Sequence, residues 1–249
     1  MSGHSKWATT KYRKGAQDKA RAKVFAKCIR QIEVAAREGG GDLEANATLR
    51  TAFQKARSSS VPIDTIEKAI KRGTGELDGV RYEAISYEGY GPAGVAVIVE
   101  TLSDNRNRTG AEMRNLFSKN GGNMAEPGAV SWQFERKGIV TLPLSLDEDA
   151  VMEVAMEAGA EDLSSNGDAW VVTSAPGDTD VVRKALDEAG MTPLSMDLSL
   201  EPTTLVPVPD DGDAKRVLRL LEAIDDHDDV QNVYANADIS DAVLAAFEG

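Results

Sequence analysis

The sequence predicts a multidomain α and α+β protein, an amino-terminal three-helix bundle followed by α+β units. Three observations carry that expectation. Positive charge is confined to one end: residues 1–75 hold 16 Lys and Arg against 7 Asp and Glu, or +9, while residues 76–249 hold 12 against 34, or −22. The hydrophobic period changes from 3.6 to 2 after Gly79, which marks a passage from helices to strands. The first strands beyond that point share a single helix, leaving a sheet face that later sequence must cover. A length of 249 residues accommodates one large domain or two to three small ones at the usual scale of about 150 residues.

The elements follow in order. Over 16–37, Phe25, Ile29, Ile32 and Ala36 recur at helical spacing and define one apolar face. Lys19, Lys23, Lys27 and Arg30 share that period on the opposite side, which predicts a basic stripe turned to solvent. Gly39, Gly40 and Gly41 end the helix. A second helix is expected over 46–58, with Leu49, Ala52, Phe53 and Ala56 inward. A third opens with Pro62 in its first turn and Asp64 and Glu67 spaced like a capping box, and Gly73 terminates it. Strands are then expected over 82–90 and 95–102, a helix over 109–119 and a strand over 129–135. A compact α+β unit follows, with strands at 138–142, 169–174 and 194–200 and helices at 147–158 and 179–188. The chain closes with strand 204–208, helix 213–224 and strand 230–235, and that closing βαβ can supply the helix the first sheet lacks. The expected division is therefore 1–77, then 78–136 together with 203–249, with 137–202 inserted between them.

Composition removes whole classes of function. The longest apolar run, about 93–99, is far short of the roughly 18 residues a membrane helix needs. The opening residues lack the apolar core of a signal peptide, and a single cysteine points to the reducing cytosol. Two histidines and one cysteine cannot build a zinc finger or a His/Cys cage, so no metal and no cofactor is expected. Cys28 lies on a helix that must pack, and reads as a core residue rather than a nucleophile. Gly89, Gly91 and Gly94 match a dinucleotide fingerprint in spacing only; they lie between two strands, where a hairpin turn explains them. His227 sits in Asp225-Asp226-His227-Asp228-Asp229, read as a solvated helix-ending loop rather than a cation site. No catalytic motif is present, and an enzyme is not expected.

Binding candidates are clearer. Lys6 and Trp7, then Lys11, Tyr12, Arg13 and Lys14, interleave cations with aromatics, a mixture that contacts phosphates and stacks on exposed bases; the alternative is a tail with Trp7 tucked into the bundle. The stripe Lys19, Lys23, Lys27 and Arg30 continues it. In Asp104-Asn105-Arg106-Asn107-Arg108-Thr109, Arg106 and Arg108 can reach phosphate, while Asp104 or Asn107 can cap the following helix. Lys119, Gly121, Gly122 and Met124 form a glycine-rich loop with Met124 at an exposed tip, although a helix terminator and turn also explain its glycines.

At these residues the chain resembles the YebC (PmpR) family, which is related to mitochondrial translational activators of cytochrome oxidase. The resemblance rests on Met1-Ser2-Gly3-His4-Ser5-Lys6-Trp7-Ala8, Val34 to Asp42 with its triple glycine, Ile66 to Gly75, Tyr87-Glu88-Gly89-Tyr90-Gly91-Pro92, Asp104 to Thr109, Ser118 to Asn123, and Phe134-Glu135-Arg136-Lys137-Gly138. It spans essentially the whole chain. Tyr12, Ala22 and Ile63 depart from the family's usual histidine, glycine and polar residue. The resemblance implies a helical bundle and two α+β domains, the third ferredoxin-like and inserted into the second. It also implies a non-enzymatic, cytoplasmic nucleic-acid-binding regulator, acting on DNA in transcription or on ribosomal RNA in translation, including at proline-rich stretches; the lack of a presequence favours the bacterial branch. A mostly lysine stripe without Asn or Gln suits phosphate tracking better than base reading, which leans the expectation toward the ribosome, with sequence-weak DNA binding on the same surface. The alternative is an adaptor that docks acidic protein partners on that face. No heptad seam is visible, so a monomer is expected.

Overall fold

The computed structural model describes residues 18–248, with side chains described from Ala22 to Phe247 except at positions 241, 245 and 246. The expected candidates Lys6, Trp7, Lys11, Tyr12, Arg13 and Lys14 therefore lie outside the described residues, as does the side chain of Lys19. Three helices come first: α1 (Asp18–Gly39), α2 (Ala47–Ser58) and α3 (Ile63–Thr74). Their core is Cys28, Ile32, Ala36, Leu49, Ala56, Val61, Ile66 and Ala69, with Phe25, Ile29 and Phe53 packed against it, and among the described residues none of its members comes from beyond residue 70. Burying residues such as Ile32, Leu49 and Ile66 stabilises the bundle by about 1.5–3 kcal/mol each.

Two local expectations for α3 change. Pro62 is itself the N-cap and no side chain caps the helix, so Asp64 and Glu67 do not form a capping box. Gly73 lies inside α3 rather than ending it; a Cβ there would stand 2.6 Å from the Glu33 carbonyl and 2.7 Å from the Ala36 methyl, so this glycine lets α3 press against α1. The left-handed terminator is Gly75, at φ 84°.

The second unit is built from β1 (Glu83–Tyr90), β2 (Ala96–Ser103), α4 (Arg106–Lys119) and β3 (Asn123–Ala125), and is completed far along the chain by α7 (Asp211–Asp225) and β9 (Val230–Ala235). The sheet order is β3-β1-β2-β9, so the last strand returns beside β2. Val95, Val97 and Val99 face Met113 and Phe117 of α4 and Val217, Leu218, Leu221 and Ile224 of α7, so the closing helix does cover the open face. A helix α8 (Asp241–Glu248) and a short parallel pair, β8 (Val206–Pro207) with β10 (Ala237–Asp238), complete this unit.

Between β3 and α7 runs a βαββαβ unit: β4 (Phe134–Pro143), α5 (Glu148–Glu157), β5 (Ala160–Ser165), β6 (Ala169–Ser174), α6 (Thr179–Glu188) and β7 (Ser195–Pro202). Its antiparallel order β5-β6-β4-β7 is ferredoxin-like, and it is inserted into the second unit. The two strands expected at 129–135 and 138–142 are one: β4 runs unbroken from Phe134, and residues Ser131–Gln133 form a 3-10 turn before it. Among the described residues, no helix is long and apolar enough to cross a membrane.

Candidate nucleic-acid interface

Lys23, Lys27 and Arg30 leave α1 on one face, as their spacing requires. That face is not open to solvent. It meets the 225–229 loop between α7 and β9. Lys23 Nζ lies 2.9 Å from Asp226 Oδ1 and from the Asp226 carbonyl. Lys27 Nζ pairs with Asp225 Oδ1 at 3.0 Å. Arg30 pairs with Asp229 Oδ1 at 3.2 Å, donates to the Asp228 carbonyl, and stands over the Tyr82 ring 5.4 Å from its centroid. The expected outward stripe is thus corrected; the acidic loop does end a helix and keeps Asp226 and Asp228 exposed, but it also holds the α1 cations. The physical reason is the charge division itself: cations that seek phosphates also seek four aspartates within five residues of their own chain.

The loop is held firmly on its own side. Asp229, 5% exposed, accepts from Arg108 Nη2 at 2.6 Å and from the Thr109 hydroxyl at 2.7 Å, and its carbonyl accepts from the Leu102 amide at 2.8 Å. Burial works against its charged form, but the Thr109 and Arg108 hydrogen bonds and the nearby guanidiniums outweigh it and hold the carboxyl below the usual carboxylate range. The Asp229 amide donates to His227 Nδ1 at 3.1 Å, which assigns the remaining ring proton to Nε2, 2.8 Å from Glu112 Oε2.

Glu112, His227 and Asp229 bring their ligand atoms within 4.8 Å of one another. They do not fit a metal: both Asp229 oxygens and both His227 nitrogens already have partners, and Arg30 and Arg108 hold the charge a cation would need. A cleft of about 450 Å³ beside them is lined by Arg30, Tyr82, Arg108 and the loop. A second, of about 390 Å³, lies between Gln31 of α1 and the sheet. Gln231 lines it at a bulge in β9; it is 6% exposed, and neither amide atom has a hydrogen-bond partner.

The other candidates fall differently. Asn105, rather than Asp104 or Asn107, caps α4 by accepting from the Arg108 amide. Arg106 pairs with Glu83 at 3.0 Å, and Arg108 with Asp104 at 3.0 Å and with Asp229, so both arginines face carboxylates. Lys119 ends α4, exposed. Gly121 is left-handed at φ 77°, and a Cβ on Gly122 would stand 2.7 Å from the Tyr90 carbonyl, so both glycines answer to the backbone. Met124 is not an exposed tip; it belongs to β3 and packs on the core of Val97 and Phe117. The described, exposed cations of the bundle are instead Arg50 and Arg57 on α2 and Lys68 and Lys71 on α3.

One constellation has no sequence signal. Buried Glu88 accepts three backbone amides, from Gly128 and Val130 at 2.7 Å and Ser131 at 2.9 Å. Burial opposes its charge, yet these amides hold the carboxyl below its usual range. The loop it pins presents Trp132, 74% exposed, whose indole N–H and the Tyr90 hydroxyl both donate to the Ala129 carbonyl at 3.1 Å.

The described chain defines a class: a helical bundle tied by ion pairs to an α+β domain that carries a ferredoxin-like insertion. The chain belongs to the TACO1/YebC family, whose "TACO1/YebC protein N-terminal domain" matches residues 5–76 and whose "TACO1/YebC second and third domain" matches residues 82–237. It is 54% identical over 250 residues to a protein of Mycobacteroides abscessus, covering 100% of this chain and 99% of that one. It is 51% identical over 247 residues to one of Halothermothrix orenii, covering 98% of each. Both relatives are named "Probable transcriptional regulatory protein". A crystal structure of a conserved hypothetical protein from Aquifex aeolicus is similar in fold, with TM-score 0.84 and 41% identity over 90% of this chain and 93% of that one.

Proposed function

We propose that the protein is a non-enzymatic regulator of gene expression that holds nucleic acid through its basic amino-terminal domain. The observation that carries this reading is the row of cations on α1, each seated on an anionic oxygen: Lys23, Lys27 and Arg30 meet Asp226, Asp225 and Asp229, acceptors that a phosphodiester backbone can also supply. Arg57, Lys68 and Lys71 add exposed positive charge to the same domain. Relatives named as transcriptional regulators support the regulatory role. Phosphate tracking with little base reading suits ribosomal RNA and duplex DNA alike, and RNA and DNA crosslinked to the protein in growing cells separate the two.

The test is a salt titration of purified protein on labelled duplex DNA and single-stranded RNA. If about six phosphates are neutralised, log affinity falls against log salt with a slope of about −5 on duplex and −4 on single strand. A slope near zero overturns the reading. A second reading, an adaptor for acidic protein partners, is favoured by the aspartates already docked on the stripe. It predicts no affinity for pure nucleic acid at any salt.

A further inference from the structure

The contact between α1 and the 225–229 loop has three properties that belong together. The loop is fixed to the second unit, through Asp229 on Arg108 and Thr109 and through His227 on Glu112. Among the described residues, the bundle it touches shares no hydrophobic core with that unit: the cluster around Ile32 and Ile66 and the cluster around Phe117 and Leu218 have no member in common. One chain segment, residues 75–82, connects the two, and Gly75 to Arg81 are all exposed. A junction made of ion pairs and one connection separates at lower cost than one made of packed side chains, because partly exposed pairs are each worth only a fraction of a kcal/mol to about 1 kcal/mol.

We propose that the 225–229 loop is a built-in competitor for nucleic acid, holding the α1 cations in a closed state that a polyanion opens by taking them. This rests on the nucleic-acid reading above and adds its regulation. Asp225 and Asp226 occupy Lys27 and Lys23 with carboxylates, and the Asp226 and Asp228 carbonyls add further acceptors on Lys23 and Arg30. A phosphate backbone laid along α1 meets the same cations and must displace these oxygens. Affinity is thereby set by the difference between two polyanions, and only a ligand that covers several cations at once opens the junction. Asp226 is 71% exposed and ends α7, so the edge of the contact is already within reach of solvent and of an incoming strand.

The experiment uses the full chain carrying D225N, D226N and D228N, which keep side-chain size and leave Asp229 and His227 in place. Binding to a labelled single-stranded RNA and a DNA duplex is measured against the wild type and against a control of equal charge change on the inserted domain, E153Q, E157Q and D187N, all at exposed positions. The closed-state competitor predicts roughly 2- to 30-fold tighter binding for the loop variant at low salt, a gain that shrinks as salt screens the pairs, and little gain for the control. Small-angle scattering then gives a larger radius of gyration for the loop variant without ligand and for the wild type with it. Equal affinity of loop variant and wild type, with nucleic acid bound, overturns the competitor while leaving the nucleic-acid reading intact. Failure of every protein to bind at low salt overturns that reading and the competitor with it. If circular dichroism finds the triple variant unfolded, D226N alone carries the test, with an expected gain of roughly 1.5- to 5-fold.

Discussion

The chain has two junctions between its units, and they are made of opposite materials. The inserted domain joins the second unit through two chain crossings and an apolar contact: Ala96, Ile98 and Tyr234 on the outer sheet face pack with Val130, Phe134 and Leu200. Even the charged Glu100 at this junction is engaged, accepting from Tyr234, Asn232 and Arg136. The bundle joins through one segment and a set of ion pairs, Lys23, Lys27 and Arg30 to the loop and Lys55 to Asp197 of β7. Apolar burial is insensitive to salt, and partly exposed ion pairs are not. One junction therefore fixes the α+β units as a frame, and the other lets ionic conditions and polyanions decide where the bundle sits.

The largest effect comes from breaking the apolar junction. Phe134→Ala removes a side chain 7% exposed at the start of β4 and leaves a void between the two sheets. It should cost about 3–5 kcal/mol in urea denaturation and leave nucleic-acid affinity at the bundle unchanged. Asp229→Ala strikes a carboxylate shared by the bundle junction and the second unit, removing one acceptor from each of Arg30, Arg108 and Thr109. A cost of about 2–3 kcal/mol is expected, below the first because two of the three donors stay partly in water. The same residue sets an acid limit. Its carboxyl is depressed in the folded protein, so its stabilisation is complete above the unfolded value near pH 3.9 and is lost as pH falls through the lower folded value. Wild-type stability should fall below about pH 4, and the fall should be smaller in Asp229→Ala.

What the sequence made legible was local. The spacing of Phe25, Ile29, Ile32 and Ala36 predicts α1 because a helix repeats its burial every few residues, and the same holds for α2, α3 and α7. The ferredoxin-like insertion followed from the family resemblance, and the incomplete first sheet had already made room for it. Strand β5 was not legible: Ala160–Ser165 reads Ala-Glu-Asp-Leu-Ser-Ser, without alternation, and it forms by pairing with β6 at the sheet edge. Strand β3 is three residues long and is held by β1. The direction of the basic stripe was the main miss, and its cause is distance along the chain. Periodicity places Lys23, Lys27 and Arg30 opposite the apolar face, but the aspartates that cover them lie about 200 residues away, and no local pattern reports that they meet. Trp132 escaped for a related reason, since its exposure depends on Glu88, 44 positions earlier, holding the loop that carries it.

The smallest expected effect sharpens the comparison most, because it tests a charge contact between the bundle and the frame's inserted domain. Lys55 on α2 reaches Asp197 on β7 at 3.1 Å, with both side chains about one-third exposed. Lys55→Met keeps the aliphatic stem and removes the charge. At low salt it should cost about 0.2–1 kcal/mol, and a double-mutant cycle with Asp197→Asn should recover a coupling of that size. The coupling should vanish at 1 M salt, where the screening length is about 3 Å. The same cycle run across the apolar junction, Phe134→Ala with Ile98→Ala, should keep its coupling at that salt. A Lys55–Asp197 coupling that survives high salt would mean that the bundle is packed onto the frame rather than held to it by charge.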